Sequence, residues 1–182
     1  MKGMKPLRIS PAGRPGITAA GLVLSLAAAG LLIALAVPVH ENARNVAAFK
    51  STFSDIRLWE DAVKAYIAAK GAAPTNPKGP IVFKKPIVDE LAPFMGQFRT
   101  LDWWGFNYQI WTGPGNREYG ISLTAAEDYL IVSTGKGGVR ETWTYDPVRP
   151  DAGLFTVAAP EDYEKDLVFW NGRLVRGPKG AR

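Results

Sequence analysis

Four groups of side chains in this sequence have the types and spacing to do chemistry. Glu161, Asp162, Glu164 and Asp166 place four carboxylates close together, enough to attract a cation or a basic partner, although such a run ordinarily forms a solvated loop. Glu141, Asp146 and Asp151 follow a glycine turn and are weak candidates for the hard oxygen ligands that calcium needs. Trp103, Trp104, Phe106, Tyr108 and Trp111 are able to stack on sugars or bases, yet alternation along a strand turns some of these rings into a core. Gly135, Gly137 and Gly138 surround Lys136 with neither Walker spacing nor a helix signal behind them, so no phosphate cradle is expected.

The rest of the inventory narrows the chemistry. The 182 residues include no cysteine and one histidine, His40. Disulfide scaffolds, thiol nucleophiles, Cys-ligated zinc and multi-histidine metal sites are therefore excluded, and a Ser/His/Asp relay has little to draw on. His40 reads as an interfacial residue. The expectation is a protein that is not an enzyme and holds no cofactor. Twenty-two basic side chains against 17 acidic ones give a net charge of +5, but Lys2, Lys5, Arg8 and Arg14 all precede Gly16 with no acid among them. The chain beyond them carries 18 basic and 17 acidic groups, so its charge does not predict a nucleic-acid partner. Arg173, Arg176, Lys179 and Arg182 form the one later basic cluster and read as a solvated tail.

These residues must be positioned by a few elements. Ile17 to Val39 is an uncharged run of 23 residues, roughly 34 Å long as a helix at about 1.5 Å per residue. It is long enough to cross a bilayer, and the basic leader predicts a cytoplasmic amino end and an exported carboxyl end. Three readings of this segment stand side by side: a signal peptide cut near Ala34-Leu35-Ala36, an uncut signal anchor, and a leader removed after Gly16. Beyond it, Val46, Phe49, Phe53, Ile56, Trp59 or Glu60, Val63, Tyr66 and Ile67 recur at steps of three and four, which predicts that the helix continues to Lys70 with one apolar stripe. Gly71 and Pro74 supply its stop.

Residues 71 to 100 are broken by five prolines and read as a connection, with a short helix at Ile87 to Ala92. Strands are predicted at Tyr108–Thr112, Glu118–Leu123, Tyr129–Ser133, Glu141–Tyr145 and Leu167–Trp170, and Asn171-Gly172 is a two-residue hairpin signal. One long helix followed by strands predicts an α+β fold, with the helix packed on one face of a small antiparallel sheet. The organisation is then 1–16 leader, 17–39 membrane helix, 40–70 amphipathic helix and 71–182 loop and sheet domain.

A basic leader ending at Gly16, the apolar run after it, Gly30 at the fourteenth residue past that glycine and Pro38 at the twenty-second resemble the amino terminus of type IV pilins and type II secretion pseudopilins. The later segments LDWWGFNYQIW, YLIVSTGKGG and DLVFWNGRLVRGPKG are similar, in order, to the sheet of the major pseudopilin. The resemblance implies a pilin-like fold, cleavage between Gly16 and Ile17 by a prepilin peptidase with methylation of the new amino group, and a single-pass subunit of the bacterial inner membrane whose carboxyl domain is periplasmic. It implies, as partners, other pseudopilins or pilins in a homo- or hetero-oligomeric filament, the prepilin peptidase and an inner-membrane platform protein.

The small residues Ala27, Ala28, Ala29 and Gly30 let neighbouring helices approach closely, and Pro38 removes a backbone donor where a kink or melted turn is expected. Two positions depart from the family. Its glutamate at the fifth residue after the cleaved glycine is here Gly21, which points to a minor or tip subunit, to assembly through other contacts, or to no filament role. Its calcium-holding turn has Lys136 and nearby Arg140 instead of aspartate, so the metal site is not carried over. The resemblance favours a pseudopilin-like subunit supporting protein export. A type IV pilus subunit for adhesion, motility or DNA uptake, and a membrane-anchored binding domain of the same layout, are the alternatives.

Overall fold

A computed structural model of the protein describes residues 18–74, 78–82, 86–97 and 99–180. The chain forms two compact units, Met1–Glu41 and Asn42–Arg182, and the helix α1, Ala19–Lys70, contributes to both.

In the first unit α1 has a defined start. Thr18 Oγ1 accepts the Gly21 N–H at 3.2 Å while the Thr18 carbonyl accepts the Leu22 N–H at 2.9 Å, so a threonine side chain caps the first turn. The alanines and leucines that follow are strong helix formers. No melted turn interrupts the helix at Pro38, contrary to one form of the expectation: a missing N–H removes a single hydrogen bond, and the turns on either side keep theirs. The large apolar side chains from Leu22 to Val39 are 52–73% exposed within the chain. A contiguous apolar surface of this kind is not a stable water interface; it demands lipid or protein around it.

In the second unit the same helix becomes one-sided. Asn45, Ala48, Phe49, Thr52, Ile56, Trp59, Glu60, Ala62 and Val63 are buried at steps of three and four, while Ala47, Lys50, Ser54, Leu58, Asp61 and Ala65 stay exposed. The buried face packs on a six-stranded sheet. In chain order its members are β1 (Lys78–Pro80), β2 (Gln109–Thr112), β5 (Tyr129–Ser133), β6 (Leu154–Phe155), β7 (Leu167–Trp170) and β8 (Arg173–Pro178), and their spatial order is β1-β2-β5-β7-β8-β6. A separate hairpin pairs β3 (Arg117–Glu118) with β4 (Ile121–Ser122), and α2 (Pro86–Leu91) runs into a 3-10 turn at Ala92–Phe94.

Alternation divides the sheet into two cores. Ile110, Ile131 and Phe169 pack with Ile56, Trp59 and Val63 of α1 and with Ile87 and Leu91 of α2. Leu130, Val132, Val168 and Val175 face the other way and are covered by Tyr119, Ile121 and Leu123, with Trp143, Tyr145 and Trp170 around them. The central strand β5 is consequently buried at all five residues, as expected of a strand with both faces covered.

The α+β layout stands, with specific corrections. The sheet is mixed rather than antiparallel, because β6 runs parallel to β8 at its edge. Glu118–Leu123 is a hairpin, not one strand: Tyr119 and Gly120 both have positive φ, 52° and 74°, and form the two-residue turn. Glu141–Tyr145 joins no ladder; Trp143 and Tyr145 lie over the second core instead. The 71–100 connection contributes β1 as well as α2. Residues Arg173 to Pro178 of the presumed basic tail are strand β8.

Candidate assembly surface

The processing residues Gly16 and Ile17 lie outside the described residues, as does the basic leader. Within the apolar unit, Gly21 is the third residue of α1, where its N–H meets the Thr18 cap and its carbonyl accepts the Ser25 hydroxyl at 2.8 Å. A Cβ at Gly21 would lie 3.2 Å from Thr18 Oγ1, whereas one at Gly30 would meet nothing within 4 Å. Among the described residues nothing requires a glycine at position 30. From Thr18 to Val39 the helix carries no ionisable side chain, and Ser25 satisfies its hydroxyl on its own backbone, as a polar residue in an apolar medium must.

The second unit presents a groove of about 940 Å³ along α1. Val46, Phe49 and Phe53 of the helix form one wall, and Val157, Tyr163 and Pro178 the other. Its shape is fixed by ring packing: Phe49 meets Tyr163 at 5.0 Å and Trp104 edge-on at 5.3 Å, and Phe53 meets Phe169 at 5.4 Å. The Tyr163 hydroxyl donates to Asn42 Oδ1 at 2.9 Å and ties the far wall to the helix. Lys50, Arg57 and Lys179 are the charged residues of the lining, all basic. Arg57 is engaged with Glu60 Oε2 at 2.7 Å and with the Gly172 carbonyl at 3.1 Å; Lys50 and Lys179 have no ion pair among the described residues.

The calcium candidates are not brought together. Glu141 forms a two-pronged pair with Arg176 at 2.8 and 3.0 Å, Asp146 pairs with Arg149 at 2.9 Å, and Asp151 pairs with Arg173 at 3.2 Å. Each carboxylate has its own guanidinium, and among the described residues no three His, Cys, Asp or Glu side chains converge on a metal position.

The acidic run also separates. Asp162 caps a 3-10 turn, Pro160–Glu164, accepting the Ala158 and Ala159 N–H groups at 2.8 and 2.9 Å; the Lys165 ammonium and these donors hold its carboxyl far below the usual range. Asp166 departs from the solvated-loop reading altogether. It is fully buried, and burial pushes its carboxyl up despite hydrogen bonds from Tyr119 and Glu141.

Of the aromatic run, Tyr108 and Trp111 enter the two cores and Trp104 is partly covered, while Trp103 and Phe106 stay 45% and 37% exposed. Asp102 organises the turn between them: Oδ1 accepts the Trp104 and Phe106 N–H groups at 3.0 and 2.9 Å, and Oδ2 accepts the Ser133 hydroxyl at 2.7 Å. Burial raises its pKa more than these donors lower it. The glycine turn is a packing device. A Cβ on Gly135 would sit 2.5 Å from the Lys165 carbonyl oxygen, and one on Gly138 would sit 2.3 Å from the Phe106 ring.

Sequence reasoning missed two buried polar groups. Glu60, at the position that alternated with Trp59 in the stripe, is fully buried; burial raises its pKa against the pull of Arg57, and both its Oε1 and the nearby Tyr129 hydroxyl lack a partner. Asp128 accepts the Thr124 and Ala125 N–H groups and the Asn171 amide. Burial opposes its charge, yet these donors outweigh it and lower its pKa. No spacing in the sequence signals either group.

The chain matches no protein-family model, no curated protein and no solved structure.

Proposed function

We propose that this chain is a pseudopilin-like structural subunit, held in a membrane by α1 and packed into a periplasmic filament that supports protein export. The observation that carries the reading is the change in α1 along its length. Its first part is uncharged and exposed all round, and its second part is buried on one face against a sheet. A helix of that first kind is long and apolar enough to cross a membrane, and its lack of intrachain partners leaves its surface for lipid or for copies of itself.

On this reading the work is mechanical. The absent carboxylate at Gly21 removes a charge that would otherwise need a partner in lipid, and the first turn of α1 is capped by Thr18. Five of its carboxylates are held in structural contacts: Glu141, Asp146 and Asp151 pair with arginines, and Asp102 and Asp166 accept hydrogen bonds in buried turns. Replacement of Gly16 by a bulky residue tests the reading. It should leave the leader attached and the chain in the membrane, unassembled, with export lost. Unchanged processing and export would overturn it.

A further inference from the structure

The exposed face of α1 in the second unit and the groove beside it are complementary. Successive residues turn about 100° around a helix, so Ala47, Leu58, Asp61 and Ala65 fall within about 60° of one another, and this strip is centred about 85° from the centre of the groove residues Val46, Lys50, Phe53 and Arg57, with Ser54 of the lining at the shared edge. Leu58 is a large apolar side chain 50% exposed on an otherwise small-residue strip, a knob with room for close helix approach on both sides. Asp61, one turn on, is exposed and has no ion pair among the described residues. The groove offers the converse: an apolar floor with Lys50 and Lys179 unpaired at its rim.

We infer that the groove receives the Leu58 and Asp61 strip of a second copy of this chain. The inference rests on the filament reading above and names the contact between soluble units. Leu58 of one copy enters between Phe53 and Val157 of the next, and Asp61 meets Lys50 and Lys179, which pair with no acid among the described residues of their own chain. Strip and groove lie on adjacent faces of one helix, and Leu58 and Asp61 stand beyond the groove lining, which ends on α1 at Arg57, so each copy can offer its strip to one neighbour while its groove holds another. Such a contact is heterologous, and it propagates into an open assembly rather than closing as a dimer. It supplies a contact between subunits that needs no carboxylate at Gly21.

The absence of cysteine makes the test clean. In membranes containing the full chain, Leu58→Cys combined with Val157→Cys introduces the only two thiols, and mild oxidation should give a ladder of dimers, trimers and higher multiples. Either single variant should give none. Adding Asp61→Lys should reduce the ladder about tenfold through like-charge contact, and further adding Lys50→Glu with Lys179→Glu should restore it. Dimers from Leu58→Cys alone, or products containing a foreign protein in place of a second copy, would overturn the inference. If the wild-type chain is recovered starting at Ile17 and sediments as large assemblies after shearing, yet the cysteine pair yields no ladder, this contact is wrong and the filament reading stands. A chain neither processed nor sedimenting would overturn both.

Discussion

The Tyr119 hydroxyl donates to Asp166 Oδ2 at 2.6 Å, and the same oxygen accepts the Glu141 N–H at 2.9 Å. Three segments far apart in sequence are pinned at one buried carboxylate: the β3–β4 turn, the stretch after the glycine turn, and the start of β7. Glu141 returns the contact by accepting the Asp166 N–H and then pairs with Arg176 of β8. Asp166 Oδ1 has no partner, so the carboxylate is held where its charge is costly.

A pH dependence follows from that burial. Burial raises the Asp166 pKa in the folded chain, so folding favours the protonated form. Its contribution to stability is full below the ordinary aspartate range and is lost as pH rises through the raised value. Asp166→Asn cannot titrate. The melting temperature of the wild type minus that of the variant should therefore fall as pH rises above the ordinary aspartate range. Thermal unfolding of the detergent-solubilised chain measures it, and a difference that rises with pH would contradict the assignment.

Adjacent residues on α1 should behave oppositely. Trp59 is fully buried and donates its indole N–H to the Arg99 carbonyl at 3.0 Å, so Trp59→Ala should cost about 3–5 kcal/mol. Leu58→Ala should change stability by no more than about 0.5 kcal/mol, since Leu58 is half exposed and belongs to neither core. Denaturant titration of the full chain separates the two.

Much of this architecture is legible because its signals are local. The apolar run and stop of α1, the apolar run of β5 and the Asn171-Gly172 turn, with φ of 48° and 81°, each declare themselves within a few residues. The errors came where tertiary contacts decide. Tyr119 gave no turn signal, because a tyrosine with positive φ is tolerated only through its hydroxyl bond and its packing. The edge strands β1 and β6 are three and two residues long, too short for periodicity to register. Asp166 looked like part of an acidic run because nothing in sequence reveals Tyr119 beside it. The groove was equally hidden, since its walls come from residues 42 to 57 and 157 to 180.

Glycines on the two units should differ in the same way. A Cβ on Gly153 would lie 2.0 Å from the Val175 carbonyl oxygen and 2.6 Å from the Trp143 ring, so Gly153→Ala should destabilise the fold by about 1–3 kcal/mol. Gly30→Ala should leave the fold unchanged. Parallel denaturation curves provide the comparison, and equal effects would contradict the packing described.

On the proposed filament reading, introducing a carboxylate at the third residue of α1 should strengthen assembly. Gly21→Glu completes a capping box with Thr18 and adds a negative charge at the helix amino end, where the dipole favours it. More sedimenting material from sheared membranes is the expected result; less would show that the added charge finds no partner in the bilayer.

The central claim, that this is a cleaved and packed filament subunit, is tested most directly by the intact mass of the membrane-bound chain from a host with an active prepilin peptidase. The account predicts a chain that begins at Ile17 and carries one added methyl group. A chain that still begins at Met1, or one that begins at Val37 after signal-peptide cleavage, would contradict it.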